Sequence, residues 1–153
     1  MGDTPKATIE AAIAGYRAGE PVTVLAEFDD DATIVGTKQG EKWKGKSDQA
    51  PARGRRVEEE LAAELDVYEV DGDLAYEQVD EDDEIDLLSH EVAVFTREGT
   101  VNFNEKKGKK KKETVHGRWT AVLKADGEHN WSIVHSHFSL SEGYSIPEHA
   151  QGN

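Results

Sequence analysis

Apolar residues near the N-terminus recur at helical spacing. Ile9, Ala12, Ile13 and Tyr16 fall three or four apart and draw one stripe along a first helix. Thr4 suits its N-cap, Pro5 its first turn and Gly19 its stop. Pro21 reopens the chain into a short second helix, with Val22, Leu25, Ala26 and Phe28 expected to face inward. The Asp29-Asp30-Asp31 cluster should end it before a first strand over 32–35. Residues 36–45 read as a turn-rich hairpin carrying Trp43, and a third helix is expected over about 47–64.

The period then changes to two. Strands are expected at 65–70 and 74–79, joined by Asp71-Gly72-Asp73, a strong hairpin turn. Another is expected at 92–96, with 101–103 as its continuation. A last pair at 114–124 and 131–140 connects through Ala125-Asp126-Gly127. Helices first and antiparallel hairpins after them describe an α+β domain over 1–141, with a C-terminal tail over 142–153.

Composition sharpens this picture. At 153 residues the chain has the size of one domain, and 36% hydrophobic residues suffice for one core. It contains no cysteine, which excludes disulfides, thiol catalysis and thiolate metal sites. No stretch approaches a membrane span, and the first residues lack the basic and apolar regions of a secretory signal, so a cytoplasmic protein is expected. The net charge of −14 repels nucleic acid and anionic membranes and makes both poor partners. It also resembles the acidic coat of halophilic proteins, whose self-repulsion is screened by bulk salt.

Two charge runs interrupt the pattern: six acids in Asp80–Asp86 and six lysines in Lys106–Lys112. Each reads as a solvated loop or hairpin tip. Mutual pairing, or an anionic partner for the lysines, is the sharper alternative. The acidic run is not a calcium loop, because Ile85 stands where the EF-hand requires glycine.

Three stretches resemble a known family. Leu25-Ala26-Glu27-Phe28-Asp29-Asp30-Asp31-Ala32-Thr33-Ile34 is similar to the helix-to-strand entry of SnoaL-like proteins, within the nuclear-transport-factor-two-like superfamily. Residues 36–46, with their glycines, Glu41 and Trp43, resemble that family's hairpin before the third helix. Gly117–Leu123 followed by Trp131–Ser139 resembles its closing strand pair. The resemblance implies a cone, a curved antiparallel sheet wrapped around N-terminal helices (a cystatin-like α+β roll), with a pocket at the open end. It also implies a homodimer formed through the sheet's outer face. That fold serves enzymes, binding modules and oligomerisers alike, so function must be read from the site.

Ketosteroid isomerase, a relative, needs an aspartate base after the first strand, a tyrosine and a protonated acid. Here those places fall at Gly36, near Ala12, and within Arg118-Trp119-Thr120, and none carries the required group. For a cyclase or lyase the candidates are His135 and His137, two apart in a strand and so on one face, roughly 7 Å from each other. By hairpin length Trp119 is expected opposite His135, with Trp131 and Ile133 sharing the histidine face. Such a wall would suit a small apolar or aromatic ligand, and imidazole could act as general acid or base. The plainer alternative makes both histidines core or interface residues. Tyr16, Phe28 and Trp43 complete the candidate binding set; Trp43 either caps the pocket mouth or closes the core, and a buried Tyr16 hydroxyl needs a partner. Neither a phosphate loop nor a dinucleotide fingerprint occurs, and no cofactor or metal site is expected.

Overall fold

A computed structural model describes residues 1–37, 40–49, 54–107 and 112–140. Helix α1 runs over Pro5–Ala18, with the Thr4 hydroxyl accepting from the Ala7 N–H at 3.1 Å and Gly19 closing it at φ 74°. Its stripe of Ile9, Ala12 and Ile13 is buried. Helix α2 is a single turn, Pro21–Leu25. Its inward residues are Val24 and Leu25, whereas Val22 and Ala26 face solvent, contrary to expectation. The turn is too short to repeat a helical stripe, so its contact with α1 decides which side is covered. That contact passes over Gly15, where an added Cβ would lie 2.9 Å from the Val24 backbone nitrogen. Alanine gains about 1 kcal/mol of helix propensity, but the contact is with backbone and cannot swing aside. Gly15→Ala should therefore destabilise by about 1–3 kcal/mol, read as a lower denaturation midpoint in urea.

The first strand, β1, begins earlier than the aspartates suggested, at Phe28–Val35, and carries them as an exposed stretch of strand. It pairs with β2 (Lys42–Lys44), placing Trp43 beside Ile34. Helix α3 covers Val57–Val67, later than the expected span, of which residues 50–53 lie outside the described part. Leu65 belongs to this helix rather than to a strand. Strand β3 is Tyr68–Asp71. The expected hairpin after it is absent: Gly72, at φ 108°, leads into a 3-10 turn over Asp73–Ala75. Gly72 lies against the neighbouring strand, where any Cβ would sit 2.8 Å from the Thr100 carbonyl oxygen. The acidic run forms one helical turn, α4 (Glu81–Glu84), capped by Asp80, and then a short strand, β4 (Ile85–Leu87).

Long strands complete the sheet: β5 (Val92–Glu105), β6 (Lys112–Ala125) and β7 (Trp131–Leu140). The strand order is β2-β1-β7-β6-β5-β3, with β4 also on β5. All pairs are antiparallel except β1 with β7. The result is an open curved sheet with the N-terminal helices packed on one face, an α+β architecture. The lysine run occupies the β5–β6 connection, but residues 108–111 lie outside the described part, as does the tail from 141 onward. No described helix is long and apolar enough to cross a membrane.

The sheet's inner face carries Ala93, Phe95, Ala121, Leu123 and Ile133, all fully buried. A buried charged residue shares it. Arg97 is buried against Glu84, with its Nε 2.7 Å from a carboxylate oxygen. The guanidinium also donates to the carbonyls of Tyr76 at 2.6 Å and Gln78 at 3.0 Å. One member of the acidic run, Glu84, is thus spent on an arginine.

Candidate functional site

A cavity of about 540 Å³ lies between the helices and the sheet. Its floor comes from the helices: Ile13 and Tyr16 on α1, Leu25 on α2, Leu61 and Glu64 on α3. The sheet supplies Trp43, Val115, Trp119, Ser136, Phe138 and Leu140. That volume falls within the range of about 300–1,000 Å³ usual for small-molecule sites.

The aromatic rings at this wall are fixed by their polar ends. Tyr16 donates its hydroxyl hydrogen to the Glu64 carboxylate at 2.5 Å, which supplies the partner its burial requires. Burial, reinforced by the nearby Glu64 charge, pushes the Tyr16 phenol well above its ordinary pKa, so it stays protonated. The Trp43 indole donates to the Arg55 carbonyl at 2.7 Å. The Trp119 indole donates to the Ser136 hydroxyl at 2.9 Å, and its ring meets the edge of Phe95 at 5.1 Å between centroids. Glu41, buried beside Trp43, also lines the cavity; Gly36 leaves room for its side chain, which packs against that glycine.

Four of the residues singled out from sequence therefore meet at the cavity: Tyr16, Phe28, Trp43 and Trp119. Trp43 fulfils both of its alternatives, lining the space while closing the core at 3% exposure. His135 and His137 are not part of the lining. The expected register is wrong by three residues: Trp119 stands opposite Phe138, while His135 faces Val122 and His137 faces Thr120. The cause is a bulge. Leu123 pairs with Ile133 and Val122 with His135, so Val134 is an extra residue on β7. Alternation resumes out of phase beyond it. Trp131 and Ile133 point inward before the bulge, and Ser136, Phe138 and Leu140 do so after it. The histidines are turned to the outer face, beside Thr33 and Val35 of β1.

Sequence reasoning also missed Glu64, Phe103 and Phe138 as lining residues. Phe138 and Leu140 alternate with Ser136 and could have been found, had the phase change been visible. Glu64 gave no such signal, because it is one of four glutamates in the segment 58–64 that are not distinguished by spacing alone.

Comparison with known proteins agrees with this architecture. No protein of curated function matches the sequence. Among solved structures, a Xanthomonas campestris protein provisionally named as a calcium/calmodulin-dependent protein kinase II association domain superposes with TM-score 0.67 and 20% identity, over 90% of this chain and 85% of that one. A provisionally named scytalone dehydratase from Novosphingobium aromaticivorans gives TM-score 0.64 and 9% identity, over 88% and 80%. A nuclear transport factor 2-like superfamily protein from Salmonella enterica gives 0.60 and 13%, over 94% and 92%. At such identities the likeness is one of fold. The SnoaL-like domain model matches residues 6–141, nearly the whole described chain, and the protein belongs to the SnoaL-like family.

Proposed function

We propose that this protein binds a small, largely apolar molecule in the cavity between its helices and its sheet. The observation that carries this reading is the cavity itself, about 540 Å³ with Tyr16, Phe28, Trp43 and Trp119 at its wall. A plugged cone serving assembly alone would have no such space. The alternative of a lyase, isomerase or cyclase working through His135 or His137 loses its geometric support, because both side chains stand outside the cavity. No reaction is assigned. The test is titration with N-phenyl-1-naphthylamine, a neutral probe that brightens in apolar surroundings. Wild type should show saturable binding. Leu61→Trp, which places an indole in the cavity from a half-exposed helical position, should weaken it at least ten-fold while circular dichroism stays unchanged.

We also propose a homodimer through the outer face of the sheet in a cytoplasmic protein. That face is not a continuous apolar area. Val35, Val94 and Val122 share it with Thr33, Thr120, His135 and His137. The resulting contact would be mixed in character, and a sedimentation experiment at tens of micromolar protein should give the mass of a pair. The charge of −14 further implies that salt stabilises the fold. Tm should rise from low to molar potassium chloride, and a flat or falling trend would remove the halophilic reading.

A further inference from the structure

We propose that the cavity selects a cation: a hydrophobic amine or quaternary ammonium whose apolar body fills the space and whose charge meets carboxylates and aromatic rings. This rests on the ligand-binding reading above and narrows the class of ligand. Seven of the chain's eleven aromatic residues line the cavity, Tyr68, Phe103 and Phe138 joining the four already named. Aromatic faces carry the negative side of a quadrupole and attract cations. Among the described lining residues, carboxylates also outnumber cationic groups, with Glu41, Glu60, Glu64 and Glu113 against Arg55 alone. Arg55 lies 3.4 Å from Glu60 and is 46% exposed, so its charge is already opposed.

The hydrogen-bond inventory points the same way. An anion or a carbonyl oxygen would need donors, and the indoles of Trp43 and Trp119 and the hydroxyl of Tyr16 already donate to protein oxygens. A neutral phenol, which Tyr16 presents to Glu64, brings no counter-charge to that carboxylate. The proposal does not require these glutamates to be otherwise unengaged; it requires that acceptors and π faces exceed donors at the wall.

Three ligands of one shape separate the possibilities: 1-naphthylmethylamine, 1-naphthalenemethanol and 1-naphthoate. Each is titrated against the full-length protein at pH 7 and followed by tryptophan fluorescence and calorimetry. The ammonium should bind at least ten-fold more tightly than the alcohol, with the carboxylate weakest. Glu64→Gln should remove most of that preference while leaving the alcohol's affinity within about two-fold. Glu113→Gln, at a half-exposed strand position, is a second probe should the first variant fail to fold. Alcohol binding as tight as the ammonium, or a preference unchanged in both variants, would overturn the cation proposal and leave the cavity reading standing. Absence of binding by all three would remove both.

Discussion

Replacing Arg97 by methionine should lower the unfolding free energy by about 3–5 kcal/mol, the range for breaking a buried ion pair from one side. Arg97 is 5% exposed and Glu84 18%, so the pair is poorly screened by water. The substitution strands the Glu84 carboxylate and also withdraws the donors that satisfy the Tyr76 and Gln78 carbonyls. Each loss acts on one segment, residues 73–84, which also supplies Leu74 and Ala75 to the cavity. Thermal unfolding should show a drop in Tm of roughly 10 °C. A double variant, Arg97→Met with Glu84→Leu, should recover part of the loss, because it removes the stranded charge.

The same pair sets a pH dependence. The hydrogen bond from Arg97 holds the Glu84 carboxyl below its ordinary pKa, against the opposing effect of burial. A depressed carboxylate contributes stability that is present above its unfolded-state pKa and lost as pH falls through the folded one. Wild type should therefore lose this contribution only in the acid range below the usual glutamate pKa. Arg97→Met should flatten that part of the stability profile. Stability unchanged at neutral pH would show that the segment is held by packing instead.

Phe95→Ala should cost about 3–5 kcal/mol, as large-to-small changes at fully buried aromatic positions do. Phe95 has no exposed surface, touches the Trp119 ring and lies beneath the Arg97 guanidinium at 5.4 Å. Removing it opens a void behind the cavity wall and frees the indole to turn. Tryptophan emission should broaden alongside the loss of stability. A cost below 1 kcal/mol would mean that the sheet collapses into the gap and that Trp119 is held chiefly through Ser136.

The outline of the fold was legible because its strongest signals are local. The Thr4 cap, the α1 stripe and Gly19 each act within a few residues of themselves, and β5 to β7 alternate over long stretches. Other features depend on contacts distant in sequence. Asp71-Gly72-Asp73 has the composition of a hairpin turn, but Gly72 is spent on a close approach to β5. Arg97 reads as a break in a strand until Glu84, thirteen residues earlier, is brought beneath it. Four aromatic lining residues were named from helical spacing, from the family's hairpin and from the expected strand pairing, but the bulge at Val134 has no compositional mark. One extra residue there exchanges His135 and His137 for Ser136 and Phe138 at the wall. Periodicity gave the correct face on one side of the bulge and the wrong face on the other.

The central claim is that the functional surface lies inside the cone rather than on the histidine face. Nuclear magnetic resonance of the side chains during titration with 1-naphthalenemethanol tests it most directly. The indole N–H signals of Trp43 and Trp119 should shift together and saturate, with Trp131, which is not part of the lining, as an internal control. The imidazole signals of His135 and His137 should stay in place. Movement of those imidazoles with both cavity indoles unmoved would contradict the account and return the site to the outer face of the sheet.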